Sequence, residues 1–382
     1  MTKYESHDEK PLRVCHVMRT YGRNGGEYQL AYLFQRTDPA ISERFAFVYR
    51  DNACEALFSE TAPGLRQYRL WPFSVSPRRS PWLELTLLIP VLPLLQLHLI
   101  GYLLLTRARV CVSHGFQASL VTWPAAVLLR GIGFGYVHRT TKSGKGVNPV
   151  FRLIYTPYRK VAGVSRAVTA SLAKIVPEGK LVVLENGVDL NRFHDAVAVP
   201  RTAPLVISMG RLLPYKGHEL TIRAFARVSE RFPESELWIA GEGECRQTIE
   251  RTIAKLGLNR RVRLLGHRAD VPQLLASATV FVHASEWEGL SNAVIEAMAA
   301  QLPSVVVNAP GVTECHEDGV TGFVVTRNEE RLAERIAELL GDPGLRTRMG
   351  AAARSRVVAH YSMDANRRRY LEFYEKLSGV RG

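Results

Sequence analysis

Cysteine is scarce in this chain of 382 residues, which contains five cysteines and no C-x-x-C pair. Their scattered positions argue against a disulfide framework or a cysteine-ligated zinc site, and they favour a reducing compartment. Low-complexity tracts are also missing, and 46% of the residues are hydrophobic, so the chain is long and apolar enough for two globular domains. The first ten residues are polar and include three acids, which predicts that no signal peptide is present.

Acidic residues are missing between residues 85 and 177, although this stretch carries 11 Lys and Arg. Residues 1–190 contain 24 basic and 13 acidic side chains, whereas the remainder contains 26 and 23. The net charge of +14 is therefore concentrated in the first half. A basic half of this kind indicates an anionic partner, either nucleic acid or an anionic membrane surface, although a generally basic protein with solvated side chains is an alternative.

Residues 85–106 form a run of 22 without a formal charge, which is long enough to cross a bilayer. Pro90, Pro93, Gln96 and His98 interrupt the run, and a span would separate parts of the site proposed below. A helix that inserts shallowly into one leaflet is therefore favoured, with a buried helix of the first domain as the alternative. No nucleic acid partner is expected, because the basic region matches no recognition motif. The expected location is the cytoplasm, at the inner face of the cytoplasmic membrane.

Apolar strand-like runs alternate with amphipathic helical runs along most of the chain. The run PLRVCHVM, residues 11–18, precedes a glycine-rich turn that does not match G-x-G-x-x-G, so no nicotinamide site is expected. The alternation resumes after a polar stretch at 187–204, which we interpret as a linker. The pattern predicts an α/β fold of two Rossmann-like doubly wound parallel-sheet domains, residues 1–190 and 200–360, that face each other across a cleft.

Two glutamates eight positions apart mark the stretch SEWEGLSNAVIEAMAA, residues 285–300. Ser291 or Asn292 is expected to cap the helix that begins there, and N–H groups at a helix start suit phosphate. A carboxylate accepts paired hydrogen bonds from a vicinal diol. Glu296 is therefore predicted to bind a ribose and Glu288 the hydroxyls of a second sugar, as in a nucleoside diphosphate sugar. The alternative, which is favoured when Glu296 is considered alone, is that it is an ordinary surface glutamate of the helix.

Two cations lie in the strand-to-helix loop of MGRLLPYKGHELTI, residues 209–222. Arg211 and Lys216 can neutralise a pyrophosphate leaving group without a metal, and the chain has no Asp-x-Asp pair to hold a divalent ion. Glycine turns and polar residues at other strand ends are expected to meet the donor nucleotide. These further donor candidates are Gly210, Gly241, Gly243, His267, Arg268, Gly289, Leu290 and Ser291.

Together these motifs resemble the second domain of the retaining glycosyltransferases of family 4, which have the GT-B fold. The resembling stretches are GRLLPYKG, GEGE, LLGHRADV, the E-x7-E pair and NGVDLNRF, and the resemblance covers roughly residues 160–340. It implies that Arg211 and Lys216 hold the donor diphosphate. It also implies that Glu288 contacts the transferred sugar and that Glu296 binds the ribose.

The first domain resembles the family less closely. GRNGGEYQL is similar to the family's glycine loop, which places Gly25 and Gly26 by the donor, but Glu27 follows Gly26 directly and receives no role. In YVHRTTKSG, His138 matches the residue that lies by the reacting sugar. For His114 in VSHGF, a structural hydrogen bond at a strand end is the competing interpretation. The acceptor candidates are Arg139, Lys142 and His114, of which the first two would grip an acceptor phosphate.

The resemblance also implies a last helix, residues 361–382, that packs back onto the first domain. The expected function is retaining, metal-independent transfer of a sugar from a nucleotide sugar, with UDP and GDP favoured, to a lipid-linked or glycolipid acceptor in polysaccharide, lipopolysaccharide or glycolipid assembly. No cofactor is expected. The acid-poor stretch makes a carboxylate nucleophile in the first domain unexpected, so front-face attack is implied. The alternatives are a sugar-nucleotide enzyme without transfer, such as an epimerase, and a non-enzymatic basic protein that binds lipid or nucleic acid.

Overall fold

The computed structural model describes residues 11–73, 81–140 and 150–379. The chain divides into two compact units, each built around one parallel sheet. Among the described residues, the first unit contains 11–73, 81–139, 150–185 and 366–379, and the second contains residue 140 and 186–365. The predicted α/β class with two doubly wound parallel sheets is confirmed.

The first sheet has seven parallel strands in the spatial order β3-β2-β1-β4-β5-β6-β7. They span Leu12–Met18 (β1), Ile41–Phe47 (β2), Arg66–Arg69 (β3), Val110–His114 (β4), Gly133–His138 (β5), Lys160–Gly163 (β6) and Leu181–Val183 (β7). The helices between them are Gly25–Gln35 (α1), Asn52–Thr61 (α2), Pro81–Leu105 (α3), Phe116–Leu128 (α4), Val150–Tyr155 (α5) and Arg166–Leu172 (α6). Every residue of β4 is buried, as expected for a strand covered on both faces of a parallel sheet.

The apolar segment of the sequence forms most of α3, a helix of 25 residues that contains Pro90 and Pro93. Its window Leu88–Leu105 is long and apolar enough to cross a membrane by length and composition alone, and only 28% of that window is buried. Large exposed apolar side chains separated by five, three and seven residues lie on one side of the helix, at 3.6 residues per turn. They are Ile89, Leu94, Leu97 and Leu104. Protein therefore covers only part of this helix.

The second sheet has six parallel strands in the order β10-β9-β8-β11-β12-β13. They span Leu205–Met209 (β8), Glu236–Ala240 (β9), Val262–Gly266 (β10), Val280–His283 (β11), Ser304–Val307 (β12) and Gly322–Val325 (β13). The helices of this part are Asn191–His194 (α7), His218–Arg231 (α8), Arg246–Lys255 (α9), Val271–Ala276 (α10), Asn292–Ala299 (α11), Glu329–Gly341 (α12) and Pro343–His360 (α13). Since β8 and β11 are neighbours, the loops at their carboxyl ends lie close together.

The last helix, Met363–Ser378 (α14), belongs to the first unit from residue 366 onward. It approaches β5 so closely that a Cβ added at Gly133 would lie 1.9 Å from the carbonyl oxygen of Leu377. Only glycine fits this position, because any side chain would collide with the backbone of the helix. The end of the predicted helical segment, residues 380–382, lies outside the described residues.

Candidate active site

The centre of the candidate site is an ion pair in the second unit. Lys216 follows β8 and Glu288 follows β11, and Nζ of Lys216 lies 2.5 Å from Oε1 of Glu288. Each side chain is about one-eighth exposed, at 13%. The two loops that sequence analysis selected independently are therefore brought together at the carboxyl edge of the second sheet, where ligands of parallel α/β sheets bind.

Two further side chains hold the carboxylate of Glu288. Nε2 of His283 lies 3.0 Å from Oε1, and the hydroxyl of Ser285 donates to the same oxygen at 2.9 Å. Burial raises the pKa of Glu288, but the hydrogen bond from His283 and the charge of Lys216 outweigh it and lower the pKa to about 2. Glu288 is therefore ionised at neutral pH, and Nε2 of His283 must carry the hydrogen that faces it.

Backbone packing fixes the two loops against each other. Gly217 has a φ of +70°, and an added Cβ would lie 2.2 Å from the carbonyl oxygen of Ala284. The N–H of Glu286 donates to the carbonyl of Tyr215 at 2.8 Å. The rings of Tyr215 and Trp287 stack, with centroids 4.7 Å apart and an interplanar angle of 12°. These contacts flank the ion pair on both loops and set the distance between its two partners.

Arg211 lies on the same loop as Lys216 but remains exposed. Its Nη2 atom is 3.5 Å from the hydroxyl of Tyr215, the residue that precedes Lys216. Gly210 and Gly241 begin the turns after β8 and β9, where the N–H of Gly210 donates to the carbonyl of Ala240 at 3.0 Å. The predicted cation pair and glycine turns therefore occupy adjacent strand ends of one sheet.

Glu296 lies within α11, where Nη1 of Arg192 approaches its carboxylate at 4.0 Å. A quarter of the Glu296 side chain is accessible. Burial raises the pKa of Glu296 to about 7, and the charge of Arg192 opposes the rise. This carboxyl group therefore titrates near neutral pH.

The start of α11 differs from the prediction. Ser291 occupies the N-cap position, but its side chain makes no capping hydrogen bond. Its hydroxyl lies 3.1 Å from Nε2 of His283 instead, and Oδ1 of Asn292 accepts from Nδ2 of Asn186 at 2.9 Å. The predicted side-chain cap is therefore wrong, because both candidate side chains bond elsewhere. Ser291 and Glu288 therefore approach the same ring nitrogen of His283.

The other predicted donor residues fall into two groups. Gly243, Gly289 and Leu290 lie in the loops after β9 and β11, and Leu290 is buried. His267 and Arg268 follow β10 at the outer edge of the sheet, and both are exposed. The guanidinium of Arg268 makes two hydrogen bonds to its own neighbour Asp270, at 2.6 and 2.8 Å. His267 and Arg268 thus lie at the end of the edge strand β10, which β9 separates from β8.

In the first unit, His138 ends β5, and its Nδ1 lies 3.4 Å from the hydroxyls of both Tyr136 and Tyr155. Gly25 and Gly26 begin α1, and a Cβ added at Gly26 would lie 3.6 Å from Cδ of Arg139. The glycine turn and Arg139 are therefore neighbours. Lys142 lies outside the described residues.

His114 is buried, with 1% of its surface exposed. Its Nε2 lies 2.8 Å from Nδ1 of His16, and its Nδ1 lies 3.2 Å from Nη2 of Arg139. Both ring nitrogens are therefore occupied by protein groups, so His114 as placed cannot contact an acceptor directly. The structure matches the competing interpretation, a histidine with structural hydrogen bonds at a strand end.

Sequence reasoning missed three residues of the candidate site, namely His283, Ser285 and Arg192. A signal for the first two was present, because His283 and Ser285 are two positions apart at a strand end and therefore point to the same side. Arg192 lies in NGVDLNRF, a stretch that was noted only as part of the resemblance. Its contact with Glu296 joins residues more than 100 positions apart, which no local pattern reveals.

Residues 190–356 match the family model described as Glycosyl transferases group 1. The lipopolysaccharide core biosynthesis glycosyltransferase LpsE of Rhizobium meliloti is 34% identical over 174 residues, which cover 45% of this chain and 50% of LpsE. A GDP-mannose-dependent monoacylated alpha-(1-6)-phosphatidylinositol monomannoside mannosyltransferase of Corynebacterium glutamicum is 31% identical over 202 residues, which cover 47% of this chain and 52% of that protein. The chain thus spans about half the length of these curated relatives.

The crystal structure of Anabaena HepE in complex with UDP is similar to the whole chain. The TM-score is 0.79 with 20% sequence identity, and the similarity covers 96% of this chain and 100% of HepE. At this identity the comparison establishes the fold, which is that of the GT-B glycosyltransferases.

Proposed function

We propose that this protein is a retaining, metal-independent glycosyltransferase that moves a sugar from a nucleoside diphosphate sugar to a lipid-linked or glycolipid acceptor. The observation that carries the proposal is the ion pair of Lys216 and Glu288 at the carboxyl edge of the second sheet. The match of residues 190–356 to the Glycosyl transferases group 1 model supports it. So do the names of the two curated relatives, which refer to lipopolysaccharide core and phosphatidylinositol mannoside synthesis.

The ion pair offers one group to each half of the donor. The ammonium of Lys216, with Arg211 on the same loop, offers positive charge to the diphosphate as it leaves, so no metal is needed for this role. The ionised carboxylate of Glu288 accepts hydrogen bonds from hydroxyls of the transferred sugar. Glu296 binds the ribose, and Arg192 keeps that carboxyl group near its point of ionisation. Either UDP or GDP fits these contacts, since none of them reads the base.

The proposed reaction is front-face displacement at the anomeric carbon. The bond from that carbon to the acceptor oxygen forms as the bond to the diphosphate oxygen breaks. The acceptor proton passes to the departing phosphate, so that no protein base and no cofactor are required. In the first unit, the residues proposed to face the donor are Gly25, Gly26 and His138. The proposed contacts for a phosphate of the acceptor are Arg139 and Lys142.

A membrane-bound acceptor agrees with the surface of the first unit. The exposed apolar face of α3 includes Leu97, and Leu105 at its end is 86% exposed. Arg107 and Arg109 follow the helix and are exposed, in a stretch of the chain without acids. An apolar helical face beside cations suits the inner leaflet of an anionic cytoplasmic membrane. We therefore propose that the protein lies in the cytoplasm, attached peripherally to that membrane.

The test is transfer of labelled sugar from a panel of UDP-, GDP-, ADP- and dTDP-sugars into membrane lipids, followed by extraction into organic solvent. We expect label to enter the organic phase with one donor and not with the Glu288→Ala variant. Conversion of a donor sugar in the absence of lipid would favour an epimerase-like enzyme. Label that stays in the aqueous phase with every donor would contradict the lipid acceptor.

A further inference from the structure

A continuous chain of side-chain hydrogen bonds runs through the buried interior of the first unit. Its members, here called the histidine chain, are in order Arg139, His114, His16, Tyr374 and Glu43. The three links between His114 and Glu43 are each 2.8 Å long, and the link from Arg139 to His114 is 3.2 Å. His16 and Tyr374 are 358 positions apart in the sequence, so only the fold brings these residues together.

The direction of every hydrogen bond in the histidine chain follows from its first member. An arginine only donates, so Nδ1 of His114 is the acceptor and its Nε2 carries the hydrogen. Nδ1 of His16 therefore accepts, and Nε2 of His16 donates to the hydroxyl of Tyr374. That hydroxyl donates in turn to the carboxylate of Glu43. Both histidines are thus fixed in the Nε2–H tautomer.

The carboxylate end of the histidine chain is closed by a second arginine. Nη1 of Arg367 donates to the same oxygen of Glu43 at 2.6 Å, and both side chains are only 8% exposed. The only carboxylate in the histidine chain is thus matched by its own cation, at the opposite end from Arg139. A charge-assisted hydrogen bond of this kind is stronger than a neutral one, so it anchors the chain.

The arginine at the other end has no such partner. Burial and the neighbouring arginines lower the pKa of His16 to about 3, and burial with the charge of Arg139 lowers the pKa of His114 well below its usual value, so both rings are neutral. Within the described part of the chain, no carboxylate lies within 4.0 Å of the guanidinium of Arg139. The acid that interacts with Arg139 is Glu27, whose pKa is raised by burial and lowered in part by the charge of Arg139. A neutral imidazole therefore orients Arg139 without cancelling its charge.

We propose that the histidine chain is a positioning device that holds the guanidinium of Arg139, which no carboxylate of the described residues contacts directly, for the phosphate of the acceptor. His16, His114 and Tyr374 are positioning residues, because they act through Arg139 and do not touch substrate. The choice of the acceptor as the source of the phosphate rests on the proposed function. The geometry of the histidine chain does not depend on the proposed function. The positioning of Arg139 and the source of the phosphate are therefore tested separately.

The first measurement concerns the histidine tautomers of the full chain. Nitrogen NMR of protein labelled at its 11 histidines, with signals assigned through His16→Gln and His114→Gln variants, reports which ring nitrogen carries hydrogen. We expect both rings to be neutral Nε2–H tautomers at pH 7. The Arg139→Met variant should release this preference at His114, whereas Arg139→Lys should keep it, because lysine also only donates. A signal for Nδ1–H at His114 in the wild type would overturn the proposal.

The second measurement is binding of phosphate probes to the Tyr374→Phe variant, which removes one hydroxyl from the middle of the histidine chain. We expect dodecyl phosphate to bind about tenfold more weakly than to the wild type, as is typical for loss of one buried hydrogen bond. Affinity for UDP should stay within about twofold. Inorganic phosphate has the phosphate group without the alkyl chain, and its affinity for the variant should fall in parallel with that of dodecyl phosphate.

The matched control is Tyr158→Phe. Tyr158 is fully buried in the same unit, and its hydroxyl lies 2.7 Å from that of Thr122, outside the histidine chain. Its loss should lower the melting temperature to a similar extent and leave dodecyl phosphate affinity unchanged. Three outcomes would each overturn the proposal. Wild type and Tyr374→Phe could bind dodecyl phosphate with equal affinity, both variants could lose the same affinity for it, or Tyr374→Phe could lose affinity for UDP alone. None of these readouts requires sugar transfer, so a failed transfer assay with intact phosphate binding would contradict only the proposed function.

Discussion

The ammonium of Lys216 lies 2.5 Å from Oε1 of Glu288, although 72 positions separate the two residues in the sequence. The contact joins the loops after two neighbouring strands, β8 and β11. It holds a cation and an ionised carboxylate at the edge of the sheet, where the proposed function has each exchange part of this contact for one with substrate. The closeness of the pair means that removal of either partner leaves the other with an uncompensated charge.

The first prediction concerns the leaving group. Lys216→Ala should reduce turnover about 100-fold or more, because an oriented cation beside the departing diphosphate acts mainly on the transition state. The measurement is kcat with labelled donor at saturation. The control is Lys255→Ala, which removes an exposed lysine from the last turn of α9 in the same unit and should leave turnover unchanged. Turnover within about threefold of wild type for Lys216→Ala would exclude the leaving-group role.

The second prediction concerns stability in acid. The pKa of Glu288 is about 2 in the folded protein, against an ordinary value of 4.5. A lowered carboxyl pKa stabilises the fold above pH 4.5, and this contribution is lost as the pH falls from 4.5 towards 2. It amounts to about 3 kcal/mol at neutral pH. Thermal melts of wild type and Glu288→Gln should therefore converge as the pH falls through this window. A constant difference in melting temperature would show that the carboxylate is not stabilised in the folded state.

The α/β class was predictable because the strands that carry it are continuous apolar runs, such as β8 with all five residues buried. Two strands lack a clear signal of this kind. The strand β3, with the sequence RQYR, has no apolar residue to mark it beyond one tyrosine. The strand β13, GFVV, begins with a glycine directly after a turn. Both depend on pairing with a neighbouring strand, which local sequence does not encode.

The candidate site was predictable only where a single loop carried the signal. Lys216 and Glu288 each stand in a glycine-containing loop after an apolar strand, so their residue type and position sufficed. His114 shows the opposite case, since a histidine at the end of an apolar strand fits both a ligand contact and a buried hydrogen bond. Its partner His16 lies 98 positions away. Long-range pairing decides between the two interpretations, and the sequence pattern contains no trace of it.

The third prediction concerns the pH dependence of nucleotide binding. Because the pKa of Glu296 is raised to about 7, the carboxyl group is mostly protonated at pH 6 and mostly ionised at pH 8. The ionised form is the better acceptor for the two hydroxyls of a ribose. The dissociation constant for the nucleotide should therefore fall as the pH rises through 7, as measured by calorimetry.

Two comparisons isolate Glu296 in this experiment. The Glu296→Gln variant should bind the nucleotide with an affinity that no longer changes across pH 7. A 2′-deoxynucleotide, which lacks one of the two hydroxyls, should show a smaller pH effect with the wild type. The same pH dependence in wild type and Glu296→Gln would assign the titration to another group and remove the ribose from Glu296.

The fourth prediction concerns membrane attachment. Replacement of Leu97 and Leu105 by Asp should weaken binding to anionic vesicles at least about tenfold, because two exposed leucines lose their burial in the bilayer. The fold should remain stable, since both side chains are already exposed, at 67% and 86%. Leu256→Asp is the control, because this leucine of the second unit is also exposed, at 39%. Flotation with vesicles measures the effect, and unchanged flotation of the double variant would contradict attachment through α3.

The last prediction separates backbone strain from close packing at the ion pair. Gly217 and Gly257 have nearly the same left-handed φ, +70° and +69°, but a Cβ at Gly257 meets no atom within 4 Å, whereas at Gly217 it would lie 2.2 Å from the carbonyl oxygen of Ala284. Gly257→Ala should therefore cost only the strain of the left-handed conformation, about 1–2 kcal/mol. Gly217→Ala should cost at least about 1 kcal/mol more, because the two loops must move apart.

That movement should also lengthen the contact between Lys216 and Glu288, so turnover should fall in Gly217→Ala and not in Gly257→Ala. Equal unfolding free energies and equal turnover for the two variants would mean that the packing of these loops does not hold the ion pair.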